Sequence, residues 1–142
     1  NLHYLAHVKN ITYIPDYLSH YRKNSGMTSK YRKELAAQWK DLFSDMRSYI
    51  ELEKCGDDFD AALNNRISLS IIGLGLNALA LPNREASTEI RGILSGKEYH
   101  EAIKTLPMRY FPPHWWAFFA CCKLNFASGV FLLLKCMERI KG

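Results

Sequence analysis

Helix breakers spaced along the chain constrain its fold more than any other feature. Past Gly56 the sequence meets Pro82, Gly96, Pro107 and Pro112-Pro113, and the segments between them place apolar side chains at helical spacing. Proline removes a backbone donor and clashes with the preceding turn, so a helix stops at each of these points. The alternating strands and helices of a nucleotide-binding sheet are missing. The expected fold is therefore mainly α, a helical bundle of about five to six helices preceded by two short extended segments.

The individual elements follow from the same reading. From about Lys30 to Lys54, Leu35, Trp39, Leu42, Phe43, Met46, Tyr49 and Ile50 keep helical spacing. Thr28 or Ser29 suits the start of that helix and Gly56 its C-cap. Asp57 or Asp58 can cap the next helix, which runs to about Leu81 and is apolar on most faces, as a central helix would be. Shorter helices are expected near Glu85–Leu94 and Lys97–Leu106, then a last pair near His114–Cys122 and Phe126–Ile140. Ahead of all these, Asn1–Val8 reads as the tail of a helix. Lys9–Ile14 and Tyr17–Arg22 alternate around Pro15-Asp16 as two short extended segments joined by a turn.

A chain of 142 residues, nearly half of them hydrophobic, can bury a core and is not a disordered tail. It begins at Asn1 with no Met and no secretory signal pattern, so the expectation is a non-secreted piece of a longer protein. Cys55, Cys121, Cys122 and Cys136 form no CxxC pair, which predicts reduced, structural thiols. In that setting the glycosylation triplet Asn10-Ile11-Thr12 is a chance match. Residues 1–103 carry thirteen basic and thirteen acidic side chains, whereas residues 104–142 carry six basic ones against Glu138 alone. The whole net charge of +5 thus resides at the C-terminal end.

Several short patterns imitate functional motifs. Asp58-Phe59-Asp60 resembles a metal-binding carboxylate pair, but its place between two helices favours stabilising the start of the second. Gly73-Leu74-Gly75-Leu76-Asn77-Ala78 loosely fits a dinucleotide fingerprint, yet it falls inside an apolar helix, where glycines serve close helix packing. His3 and His7 have one-turn spacing without a third metal ligand. No nucleophile, base and orienting group can be singled out, and no catalytic or metal-ligating residue is assigned within the chain.

The aromatic stretch Arg109-Tyr-Phe-Pro-Pro-His-Trp-Trp-Ala-Phe-Phe-Ala-Cys-Cys-Lys123 is either core or a surface for a membrane or partner. It is too short to span a bilayer, because Lys123 and Asn125 interrupt it. Arg109, Trp115, Trp116, Phe118, Phe119 and Lys123 are the candidates for contact with an anionic membrane surface, where clustered positive charge and aromatic rings cooperate. The basic residues form no phosphate-tracking stripe, so nucleic acid is not an expected partner.

Two runs near the N-terminus carry a family likeness: Ile11-Thr12-Tyr13-Ile14 and Tyr21-Arg22-Lys23-Asn24-Ser25-Gly26-Met27-Thr28. The segment from Asn1 to Tyr31 resembles the end of the catalytic domain of bacterial family 2 (GT-A type) glycosyltransferases. In that family a Glu-Asp pair opens a helix, an Ile-x-Tyr-Ile-like strand follows, and a Tyr-Arg-x-Asn-x-x-Ser/Thr-like stretch closes the acceptor side. The likeness implies residues 1–29 as the end of that domain and residues 30–142 as a C-terminal helical domain. By residue, it implies a substrate-binding border at His20, Tyr21 and Arg22 and a following loop through Ser25 and Thr28. The Glu-Asp pair would precede Asn1, as would the Asp-x-Asp motif that holds a nucleotide sugar through a divalent metal, Mg or Mn. The fragment is therefore expected to be inactive alone. Its implied partners are the upstream catalytic domain, a nucleotide sugar and a saccharide or lipid-linked acceptor in envelope or exopolysaccharide synthesis. The implied place is cytoplasmic, peripheral on the inner face of the plasma membrane. The alternative is a stand-alone helical interaction or membrane-surface module with no sugar chemistry.

Overall fold

The computed structural model describes residues 7–10, 12 and 30–141. Among the described residues from Lys30 on, six α-helices follow one another: α1 (Leu35–Leu52), α2 (Asp57–Ala78), α3 (Asn83–Ser95), α4 (Lys97–Thr105), α5 (Pro113–Lys123) and α6 (Ala127–Lys141). A single 3-10 turn, Met108–Tyr110, lies between α4 and α5. Among the described residues there is no strand, and the fold is the expected helical bundle. Of the two extended segments expected at 9–14 and 17–22 and the helix tail before them, only residues 7–10 and 12 are described, with His7 helical and the others in neither helix nor strand.

The central helix is α2, which packs against α1, α3, α4 and α6, while α5 is held between α4 and α6. Its apolar character on most faces is what that position requires. One core runs through the bundle, built from Phe43 of α1, Ile67, Ile71 and Leu74 of α2, Ile90 of α3, Ile103 of α4, Phe118 and Phe119 of α5, and Val130 and Leu134 of α6. Burying each such large side chain stabilises the fold by about 1.5–3 kcal/mol relative to leaving it in water.

Helix ends depart from expectation in instructive ways. Helix α1 begins at Leu35, with Glu34 as its N-cap, rather than at Lys30. The reason is tertiary: the Arg32 carbonyl, which would accept from the Ala36 N–H in a helix begun at Lys30, accepts instead from the Asn77 side chain at 3.0 Å, leaving residues 30–32 outside the helix. At the other end Lys54, not Gly56, adopts the left-handed conformation, with φ 51°. Two reverse bonds close the helix there, Cys55 N–H to the Ile50 carbonyl at 3.1 Å and Lys54 N–H to the Glu51 carbonyl at 3.3 Å. This is a Schellman closure, usually built on glycine. Gly56, with φ 93°, instead forms the N-cap of α2. Asp57 and Asp58 consequently lie within the first turn of α2 beside Asp60, not at the cap. Their charges still complement the positive end of the helix.

The turn from α5 into α6 repeats the device. Asn125 has φ 53°, and Phe126 N–H and Asn125 N–H donate to the carbonyls of Cys121 and Cys122 at 2.9 and 3.0 Å. Asparagine tolerates this conformation better than most residues. The turn projects Leu124 and Phe126 outward, 79% and 55% exposed.

Candidate functional site

The residues implied as a substrate border, His20, Tyr21, Arg22, Ser25 and Thr28, lie outside the described residues, as does His3, while its neighbour in sequence spacing, His7, is exposed. What the structure does describe is the junction immediately after them. Asn77 on α2 accepts from the Arg32 backbone N–H at 2.9 Å and donates to the Arg32 carbonyl at 3.0 Å, a two-point clamp between residues 45 apart in sequence. Tyr31 donates its hydroxyl to Glu89 of α3 at 3.1 Å. Burial, then the neighbouring Glu89 carboxylate, pushes the Tyr31 phenol above its usual pKa. The chain leaving the Tyr21–Thr28 run is therefore fastened to α2 and α3 before it enters α1. Sequence reading missed Asn77 and Glu89 in this role, because neither pairing leaves a local signature.

The imitation motifs resolve into packing and charge. Asp58 and Asp60 sit two positions apart on a helix, so their carboxylates diverge and do not converge on one ion. Asp60 is 3.8 Å from Arg47 of α1, in an exposed pair, and Arg47 also donates to Asn64 at 3.2 Å. Among the described residues no three His, Cys, Asp or Glu side chains gather as a metal site. The divalent metal implied by the family likeness therefore finds no fitting ligand set in this helical part. Gly75 is buried at the crossing with α6, where an added Cβ would lie 2.5 Å from Leu134 Cδ1. Gly73 is exposed, with nothing within 4 Å of such a Cβ. The close-packing role expected of both glycines belongs to Gly75 alone.

An open cleft of about 730 Å³ is lined by Lys40 and Arg47 of α1, Asn64 of α2, and Lys97, Tyr99 and Glu101 of α4. Cations and carboxylates alternate around it, and Glu101 is already paired with Lys104 at 2.9 Å. That pairing holds the Glu101 carboxyl below its usual pKa. The cleft shows no set of groups converging on a reacting atom.

The C-terminal aromatic segment is divided between core and surface. Phe118 and Phe119 are fully buried, so the expectation that they belong to a membrane or partner surface is corrected. The physical reason is the spacing of Trp115, Phe118, Phe119 and Cys122, which puts all four on the inner arc of α5. Phe118 meets Phe119 edge-on at 5.1 Å and Trp115 at 5.9 Å between ring centroids, and Phe111 lies 4.8 Å from Phe119. Lys123 is likewise diverted. Its ammonium donates to the carbonyls of Leu106 at 3.1 Å and Lys104 at 3.4 Å, complementing the negative end of α4.

Trp116 and Arg109 remain exposed. The Arg109 guanidinium bonds the Tyr110 hydroxyl and lies over its ring, 4.6 Å from the centroid. The outward face of α5 is Pro113, Trp116, Ala117, Ala120 and Leu124, apolar throughout. Phe126, in the turn that follows, and Leu132 on α6 are exposed as well. Four-residue spacing puts Trp116, Ala120 and Leu124 on one arc of the helix, but the opposite arc is equally apolar, so the sequence does not say which of the two faces outward. All four cysteines are free thiols, and burial pushes the Cys122 thiol up to about 12. Among the described residues no helix is long and apolar enough to cross a membrane. Set against known protein families, curated proteins and solved structures, the chain matches none of them.

Proposed function

We propose that this chain is the C-terminal helical region of a bacterial family 2 glycosyltransferase, one that transfers sugar from a nucleotide donor in envelope or exopolysaccharide synthesis. The observation that carries the reading is the run Tyr21-Arg22-Lys23-Asn24-Ser25-Gly26-Met27-Thr28, preceded by Ile11-Thr12-Tyr13-Ile14. The junction adds mechanical support. A segment bordering a substrate must be held in register, and the Arg32–Asn77 clamp and the Tyr31–Glu89 bond fasten its exit to the bundle. In this reading the bundle contributes no chemistry. It positions the acceptor-side segment, and Arg22 pairs with diphosphate charge through forked hydrogen bonds. The base and the metal-binding carboxylates belong to a catalytic domain ahead of Asn1, on the cytoplasmic face of the membrane.

The direct test is the coding sequence upstream of Asn1, which must specify alternating strands and helices with an Asp-x-Asp motif and a Glu-Asp pair. In the longer protein, Arg22→Ala is expected to lower sugar transfer while leaving thermal unfolding unchanged. Sugar-nucleotide turnover by the 142-residue chain alone overturns the proposal. The second reading, a helical interaction or membrane-surface module without sugar chemistry, is favoured by the bare apolar face of α5; an upstream sequence with no such domain selects it.

A further inference from the structure

We propose that the outward face of α5 and the α5–α6 turn form a docking surface for an anionic lipid bilayer, on which the protein lies without spanning. This inference does not depend on the glycosyltransferase reading. Four large apolar side chains define the contact: Trp116 at 53%, Leu124 at 79%, Phe126 at 55% and Leu132 at 62% exposure. Together they leave roughly 500 Å² of apolar surface in water, an amount that favours a covering partner where it is gathered on one side.

The tip of the surface is a closed turn. The left-handed Asn125 and its two reverse bonds fix the turn. Phe126 packs so closely over Gly129, beside Cys121, that a Cβ there would overlap its ring. A protruding, ordered apolar turn suits insertion at the boundary of headgroups and acyl chains, where Trp and Phe side chains settle.

Charge selects the occupant. No acidic residue occurs between Glu101 and Glu138, a stretch that contains all of α5 and most of α6. Arg139 follows Leu132 at seven residues, on the same face of α6, whereas the Lys135 ammonium is turned to Asn83 of α3, to which it donates at 2.6 Å. Arg109 is exposed in the turn that leads into α5. An anionic surface complements these cations, each near the headgroups strengthening attachment. A second copy of the chain does not. Self-association through this face would bring Arg109 and Arg139 of both copies into one interface with no acidic residue of α5 to offset them, over less area than the ~800 Å² per partner of a stable interface.

Flotation of the 142-residue chain with phosphatidylcholine vesicles, with and without phosphatidylglycerol, tests the proposal. The expected result is recovery with the anionic vesicles, weakened by salt. Leu124→Asp combined with Leu132→Asp is expected to lower recovery about tenfold, from two apolar side chains no longer leaving water. Leu52→Asp, at an equally exposed leucine on α1 (78%), leaves it unchanged. Quenching of Trp116 by brominated phosphatidylglycerol, absent in Trp116→Phe, gives a readout that needs no charged substitution. Equal recovery from both vesicle types, an unaffected double variant, or unquenched Trp116 overturns the inference. So does a dimer in sedimentation equilibrium that Leu124→Asp dissociates, since that assigns the face to a second copy. None of these outcomes bears on sugar transfer.

Discussion

Replacing Gly75 by alanine tests the tightest point of the bundle. In a solvated helix the change is favourable by about 1 kcal/mol, because glycine surrenders more backbone freedom on folding. At Gly73, where nothing lies within 4 Å of the new Cβ, that benefit is expected in full. At Gly75 the Cβ would lie 2.5 Å from Leu134 Cδ1, about 1 Å inside ordinary carbon contact. Leu134 is fully buried among core residues, so its side chain has no solvent to swing into. Overpacking of this kind costs about 1–3 kcal/mol. The net expectation is Gly75→Ala destabilised by about 0–2 kcal/mol and Gly73→Ala stabilised by about 0.5–1 kcal/mol.

Urea unfolding followed by tryptophan fluorescence and circular dichroism measures both variants. A double-mutant cycle with Leu134→Ala supplies the check. That substitution alone costs about 2–5 kcal/mol, and the new methyl of Gly75→Ala fills part of the space it leaves. The pair is therefore expected to be less destabilised than the sum of its members by about 0.5–3 kcal/mol. Equal stabilisation by both alanine variants, or strict additivity with Leu134→Ala, refutes the close approach of α2 and α6 as the reason for a glycine at this position.

Other perturbations read other parts of the fold. Lys54→Gly relieves the left-handed backbone in the closure of α1 and is expected to raise stability by about 1 kcal/mol in denaturant titration. Asn77→Ala removes both bonds to the Arg32 backbone and should cost about 1 kcal/mol, with faster hydrogen exchange at the Arg32 amide as its local signature. Cys136 is exposed and Cys122 buried, so a thiol reagent at mildly alkaline pH should modify Cys136 in the native protein and Cys122 only on unfolding. The Cys122 pKa is raised by burial from 9.0 to about 12. The folded state therefore holds this proton where the unfolded chain releases it, and stability falls as pH climbs from about 9 towards 12. Cys122→Ala is expected to flatten that alkaline slope in urea titrations at stepped pH.

Much of the fold was legible residue by residue. The breakers Pro82, Gly96 and Pro107 bracket α3 and α4 within two residues of their observed ends, because proline and glycine act on the backbone wherever they stand. The central place of α2 was readable too, since a helix apolar on most faces has nowhere else to go. The start of α1 was not readable. Asn77, 45 residues away, claims the Arg32 carbonyl that a helix begun at Lys30 would use, and local spacing carries no trace of that competitor. Nor could the sequence assign the left-handed position to Lys54 over Gly56, since both follow the last apolar residue and only the path into α2 separates them.

The candidate surface shows the same division. That residues 104–142 are basic and aromatic-rich is a property of composition, open to reading before any fold is known. Which rings face outward is not. Trp115, Trp116, Phe118 and Phe119 have similar affinity for an apolar environment, and a helix apolar all round has no intrinsic inside. Contact with α4 and α6 turns Phe118 and Phe119 inward and leaves Trp116 and Leu124 bare. Periodicity and chain breaks are local, so sequence alone determined which segments are helices. Burial is a relation between segments far apart in the chain, so only the tertiary structure decided which faces remain for a partner.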